Sequence, residues 1–343
     1  MLHIDGAQQS GSGTIIRLAI SLSALLGEPV RITHARARRA KPGLRPQHLA
    51  AVKACAELCG ARLEGVEVGA QDFTFAPRTP PRGGDFVWDI GTAGSATMLA
   101  LGVLPVACRA GGPLRARITG GVFQDFAPSP HHMQHVLAPL LARMGVAVEL
   151  RVVRAGYMPA GAGVIELRVT PARKPLEPLE LTTQGSVREV VGVAFSSHLE
   201  ERRVSERMAH ACEERLLAHG FPCRIERVHD VQAVQAGASL AVWADTNTGA
   251  RLGADRAGAP RRSSEAIGHF VAEQLLADLQ AGGSVDRHAA DQLAPFAALA
   301  EGTTRYVAPR VTDHLTTNLW LAERFGAKVS RHGRDVRVQG LAR

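Results

Sequence analysis

One grammatical unit recurs through this chain: an apolar-periodic run, a glycine, then a short β-rich run. LSALLGEPVRI, AELCGARLEGVEV, LARMGVAVEL, LAHGFPCRI and AERFGAKVSR all fit it. The glycines are Gly27, Gly60, Gly145, Gly220 and Gly326, each placed where a helix ends in a left-handed turn that other residues enter at a cost. Each therefore punctuates a step from helix to strand. In the third example Met133, Val136, Leu137, Leu140, Leu141 and Met144 form one helical stripe, and VAVELRVV follows with β-propensity. Helices covering one side of a sheet, in repeated units, make the expected class α/β (α+β), with the carboxyl-terminal unit completing the set begun at the amino terminus.

Between about residues 184 and 282 the texture changes. SSHLEERRVSERMAHACEERLLAHG is a long charged helix pattern, and QAGASLAVWADTNTGARLGADRAGAPRRSS mixes a strand with loop residues. The division expected is a large domain over 1–183 and 283–343, with a smaller inserted domain over 184–282. A formal charge of +8 favours a polyanionic partner, RNA or a phosphorylated small molecule. With 4% aromatic residues, a broad platform of stacked bases is not expected, so phosphate contacts are the better expectation. The five cysteines are odd in number and scattered, which suits buried thiols in a reducing compartment more than a disulfide framework. Cys55 and Cys59 share a helix face, but no second pair completes a zinc site. No segment offers about 18 uninterrupted apolar residues and no secretory signal opens the chain, so the cytoplasm is the expected location.

Three glycine-rich stretches could cradle phosphate. In DGAQQSGSGTIIRLAISLSALLG, Gly11 and Gly13 open a helix that carries Arg17 in its first turn, presenting free N–H groups to an anion. DIGTAGSATMLALGVLPV has the same form, or is a small-residue helix start packed closely on a neighbour. AGYMPAGAGVIEL reads equally as a tight bend where two backbones approach. The segment ARARRAKPGLRPQHLAAVKACAELCG sets Arg36, Arg38, Arg39, Lys41 and Arg45 ahead of an amphipathic helix, with Gln47 and His48 at its start. It is either a solvated basic loop or a phosphate site. In VTDHLTTNLW, Thr312 or Asp313 can cap a helix carrying Leu315, Leu319, Leu321, Ala322 and Phe325. His314 is then either an ordinary residue of a helix start or an imidazole placed to meet a phosphate as ligand, acid or nucleophile.

Taken together these stretches resemble the RNA 3′-terminal phosphate cyclase family. The matching segments are DGAQ with its glycines and Arg17, RARRAKPGLRPQHLAAVKA, GTAGS, GYMPAGAGV, DQL at Asp291 to Leu293, and HLTTN at His314 to Asn318. They span nearly the whole chain in the family's order. The resemblance implies a large domain of repeated units like the carboxyl-terminal domain of translation initiation factor 3, with a smaller α/β domain inserted. It also implies ATP-dependent conversion of an RNA 3′-phosphate to a 2′,3′-cyclic phosphate, with magnesium or manganese, through histidyl-AMP and RNA-adenylate intermediates. By the same resemblance His314 is the nucleophile, and Arg17, Arg36, Arg39, Gln47 and His48 are phosphate or active-site contacts. Pro128, Asp291 and Gln292 are then residues of the nucleotide pocket.

The chain departs from the family's pattern at specific positions. Ser10 stands where the family has a glutamate associated with the divalent metal, Ser12 interrupts a run of glycines, and Thr14 replaces a glutamine. His288 stands for a tyrosine near the adenine, and Ala162 turns PAGGG into PAGAG. Serine lacks the charge that holds a hard cation well, so the metal ligands are left unassigned. The alternatives left open are an adenylyltransferase with another acceptor, a weakly catalytic or non-catalytic RNA-binding relative, and, on fold-level analogy, an enolpyruvyl transferase.

Overall fold

Three stretches of the chain adopt the same order of strands. The computed structural model describes residues 1–172 and 175–341, so residues 173–174 and 342–343 of the expected large domain lie outside the described residues. The first unit runs β1 (Leu2–Asp5), α1 (Gly13–Leu26), β2 (Val30–Thr33), α2 (Pro46–Cys59), β3 (Arg62–Glu64) and β4 (Phe73–Ala76). Its sheet order is β1-β2-β4-β3, with β1 and β2 parallel and the other pairs antiparallel. The second runs β5 (Gly84–Asp89), α3 (Ala96–Ala107), β6 (Leu114–Gly120) and then α4 (Pro130–His132). A π-helical turn over Met133–Leu137 leads to α5 (Ala138–Ala142), followed by β7 (Ala147–Arg154) and β8 (Gly163–Thr170). Its order, β5-β6-β8-β7, repeats the pattern with the same parallel and antiparallel pairs.

The third unit opens with β9 (Glu180–Leu181) and is then interrupted. The chain leaves for β10 (Val187–Ser197), α6 (Val204–Leu217), β11 (Cys223–Asp230), β12 (Gly237–Thr246), β13 (Arg251–Ala257) and α7 (Ser264–Gln280). These strands make their own sheet, β11-β10-β12-β13, an order that differs from the repeated one. Two short helices, α8 (Ala289–Gln292) and α9 (Ala294–Leu299), lead to β14 (Thr303–Val307), α10 (Asp313–Arg324), β15 (Lys328–His332) and β16 (Asp335–Gln339). With β9 parallel to β14 and β16 between β14 and β15, the third sheet has the order of the first two. The protein is thus a mixed α/β fold of repeated units, as the glycine grammar dictates.

All five punctuating glycines are left-handed, with φ of 66° at Gly27, 58° at Gly60, 89° at Gly145, 81° at Gly220 and 100° at Gly326. The stripe on the third helical run is buried throughout, from Met133 to Met144. A contiguous apolar core joins Ile4 and Ile32 of the first unit to Leu276 beside the fourth sheet and Val338 of the last strand. Cys55, Cys59, Cys108 and Cys212 are buried and Cys223 is half-buried, all as free thiols. Among the described residues no helix is long and apolar enough to cross a membrane.

Candidate active site

The helix that begins beside His314 is capped by Thr312, whose hydroxyl accepts from the Leu315 N–H at 3.0 Å. His314 is therefore not needed for capping. Its Nδ1 lies 3.0 Å from Thr14 Oγ1, in the first turn of α1. Arg17, one turn further along α1, donates to the same hydroxyl at 3.4 Å. The starts of α1 and α10 thus converge, and two helix N-termini with a guanidinium face one place, an arrangement made for an anion. Burial first, then Arg17, Arg39 and His288, lowers the His314 pKa, so the ring is neutral at physiological pH.

The first glycine loop owes its shape to the side chains around it. A Cβ on Gly13 would sit 2.2 Å from His48 Nε2, and one on Gly11, at φ +54°, would strike the Arg38 side chain. His48 is buried, and its Nδ1 accepts from the Arg45 N–H at 3.3 Å, which leaves Nε2 to carry the proton toward the loop. Burial, followed by Arg17, Arg36, Arg45 and Arg39, drives its pKa to about 2, so it acts as a neutral donor. Arg17 itself is lowered to about 10 by burial, partly offset by Asp291, and stays cationic. Burial and the nearby Asp286 push the Asp291 carboxyl up to about 8, against the pull of Arg17.

The other expected contacts arrive in different states. Arg36, at φ +57°, spends one Nη on the carbonyls of Lys41 and Gly43, at 2.7 and 2.8 Å, so part of its guanidinium holds the basic loop in shape. Arg39 is exposed and makes no ion pair among the described residues. Gln47 fastens the start of α2 to the GTAGS loop by accepting from the Ser95 N–H at 2.9 Å. Gln292 is buried, and its Oε1 has no partner among the described residues. Asn318 donates to the Asp291 carbonyl at 2.8 Å and so ties α10 to α8. Pro128 is half-buried in the loop before α4.

That loop leads to a second polar group, which sequence reasoning missed. His132 Nε2 lies 3.0 Å from Asp286 Oδ2, both fully buried. Asp286 also accepts from the N–H groups of His288 and Ala289 at 2.8 Å and of Gly253 at 3.0 Å. His132 and Asp286 are 154 positions apart in sequence, so no local pattern announces them. Thr14 was legible only as a departure. Those departures form a network of their own: Ser10 Oγ lies 2.9 Å from Ser12 Oγ, Ser12 caps α1 through the Thr14 N–H, and the Ser10 N–H donates to Thr317 at 3.2 Å. An open groove of about 520 Å³ lies elsewhere, on the third sheet, lined by Arg305, Lys328 and Arg337 among others. It contains no histidine, and its carboxylate, Glu180, is paired with Arg305 at 3.6 Å.

A family model described as RNA 3′-terminal phosphate cyclase matches residues 8–330. The chain belongs to the RNA 3′-terminal phosphate cyclase family. A cyclase of that name from Methanopyrus kandleri is 38% identical over 331 residues, covering 95% of this chain and 93% of its own. One from Hyperthermus butylicus is 41% identical, covering 93% and 90%, and one from Methylococcus capsulatus 39%, covering 95% and 91%. The solved enolpyruvyl transferase NikO from Streptomyces tendae aligns with 99% of this chain and 48% of its own at 12% identity. Its TM-score is 0.41, too low to carry an argument. Membership of the cyclase family accords with an array that gathers guanidinium groups, helix N-termini and a neutral imidazole in one place.

Proposed function

We propose that this protein is an ATP-dependent RNA 3′-terminal phosphate cyclase, and that His314 is its nucleophile. The observation that carries the reading is the His314–Thr14 contact, at the meeting of two helix N-termini beside Arg17. With Nδ1–H donating to Thr14 Oγ1, the lone pair on Nε2 is free to attack the α-phosphorus of ATP. An N–P bond forms, the bond to the β-phosphate oxygen breaks, and pyrophosphate leaves histidyl-AMP. An oxygen of the RNA 3′-phosphate then takes the AMP and frees the imidazole. The ribose 2′-hydroxyl attacks the 3′-phosphorus, loses its proton and expels AMP, closing the 2′,3′-cyclic phosphate.

Arg17, Arg36 and Arg39, with His48 as a neutral donor, stabilise charge on the phosphates as these bonds exchange. Gln47 holds the start of α2 against the GTAGS loop. Pro128, Asp291 and Gln292 line the nucleotide pocket, where the open acceptor on Gln292 suits an amino group of the base. Magnesium or manganese is expected with ATP. At Ser10 the chain offers a neutral hydroxyl, and among the described residues no group of three or more histidine, cysteine or acidic side chains could hold a metal. The ion would then ride on the phosphates of the nucleotide, in keeping with how magnesium binds. Residues 1–183 and 283–343 form the catalytic domain in this reading, 184–282 an inserted one, and the reducing cytoplasm suits the free thiols.

Incubation with ATP labelled at the α-phosphate, with magnesium or manganese, tests the assignment. Acid-labile label on the protein is expected, and none on His314→Ala. Absence of label from folded, RNA-binding protein under both metals would overturn it in favour of a non-catalytic RNA binder.

A further inference from the structure

Two residues with long side chains stand exposed in left-handed backbone, Phe126 in the loop that carries Pro128 and Arg261 just before α7. Phe126 is fully exposed, at 101%, with φ +65°, and Arg261 is exposed with φ +66°. Neither conformation is favoured for a residue with a Cβ, and strain of this kind persists only where surrounding contacts enforce it. Those contacts are present. Asp125 next to Phe126 takes two bonds from Arg262 next to Arg261, at 2.9 and 2.7 Å, which pins the two loops together. Three residues beyond Phe126, the Ser129 N–H donates to Asp255 at 2.7 Å. Ser129 Oγ accepts from the His132 N–H at 3.1 Å, and His132 leads through Asp286 to His288. Hydrogen bonds thus tie the pinned loops to His288, which lies near enough to His314 to act on its ring.

We infer that Phe126 and Arg261 form a landing place for the RNA strand next to its reacting end, the ring stacking on a nucleobase and the guanidinium meeting a neighbouring phosphate. The inference rests on the cyclase reading and gives it a substrate contact. A lone ring flanked by Gln124, Asp125 and Ala127 is no patch for a protein partner, which would need contiguous apolar surface. A base, by contrast, offers a π-face to any single aromatic side chain, and Arg261, exposed and outside the Asp125 pair, supplies charge for a neighbouring phosphate. One ring suits the end of a strand, consistent with so few aromatic residues in the chain.

The test uses 3′-phosphorylated RNA oligonucleotides carrying 2-aminopurine at one of the last positions, with the full chain and its Phe126→Ala, Phe126→Trp and Arg261→Ala variants. Quenching on binding is expected for the natural sequence and Phe126→Trp. Phe126→Ala should lose the quench and bind roughly five-fold or more weakly. Arg261→Ala should flatten the salt dependence of binding by about one phosphate contact. Quench and affinity unchanged in Phe126→Ala would overturn this inference alone. Loss of protein labelling by ATP in Phe126→Ala would place the ring against the nucleotide and overturn it as well. Failure of the natural sequence to bind RNA at all would overturn both this and the cyclase reading.

Discussion

At the start of α10, the capping residue and the proposed nucleophile are near neighbours. Thr312 satisfies the backbone, and His314, two positions on, is left to reach Thr14. The sequence VTDHLTTNLW contains both roles, but which residue takes which depends on α1, some 300 positions away. A histidine held neutral by burial and by Arg17 should attack equally well across neutral pH. Its pKa is lowered, so the reactive form is lost only on acidification beyond the ordinary histidine range. Rates of protein adenylylation measured from pH 5 to 8.5 should therefore be flat above about 6.5, and the acid limb should lie below that of a free imidazole. A limb at or above the ordinary value would show that the surrounding guanidiniums do not act on the ring. His48 shows the same environment more strongly, and its place beside Gly13 could be read from QHL only once the loop was seen against it.

Elements were legible where local chemistry dictates them. Each of the five glycines stops a helix in left-handed backbone, which a glycine enters freely. The two-residue β9 was not legible, because its pairing with β14 comes from the repeat and not from its own composition. The π-helical turn at Met133–Leu137 kept the expected stripe buried while adding a residue to one turn, which periodicity alone does not reveal. The PAGAG loop combines both kinds of information. A Cβ on Gly161 would meet Ala93 at 2.7 Å, so this is a close approach of two backbones, one of the readings its sequence allows. Ala162 beside it sits at φ +53° and its carbonyl is held by Arg154 at 2.8 Å. Alanine in that region is strained, so Ala162→Gly should stabilise the protein by about 0.5–1 kcal/mol in urea unfolding. No gain would mean that the Arg154 contact already relieves the strain.

On the scale of the whole molecule, the His132–Asp286 pair joins the second unit to the stretch between α7 and α8, and Gly253 brings in β13. Burial alone would pull the imidazole down, but the Asp286 carboxylate overrides it and lifts His132 to about 9. The unfolded ring titrates near 6.5. The pair's contribution is therefore complete below pH 6.5 and is lost as pH rises through 9, on the order of 3 kcal/mol for a shift of this size. Asp291, raised to about 8, also favours the protonated fold and adds a loss in the same direction. Urea midpoints at pH 6 and 9.5 should fall for the natural sequence and fall less for His132→Gln; equal slopes would remove the pair as a source. None of this was visible in the chain, because neither residue lies in a recognisable motif. The change of texture after residue 184 was visible, since a charged helix and a different strand pattern follow it.

The interruption of the third unit has a consequence for chain entropy. β9 ends at Leu181 and β14 begins at Thr303, so pairing them closes a loop whose entropic cost would scale to about 4 kcal/mol were it flexible. The intervening sheet brings its own ends back together. Ser284 bonds the carbonyl of Leu181, Asn247 donates to Ser186, and Arg251 bridges to Val285. Once those residues have folded, the third unit sees a short connection in place of a long one. Chain can be added or removed at this crossover at little cost to the frame, provided the added piece begins and ends at the same spot.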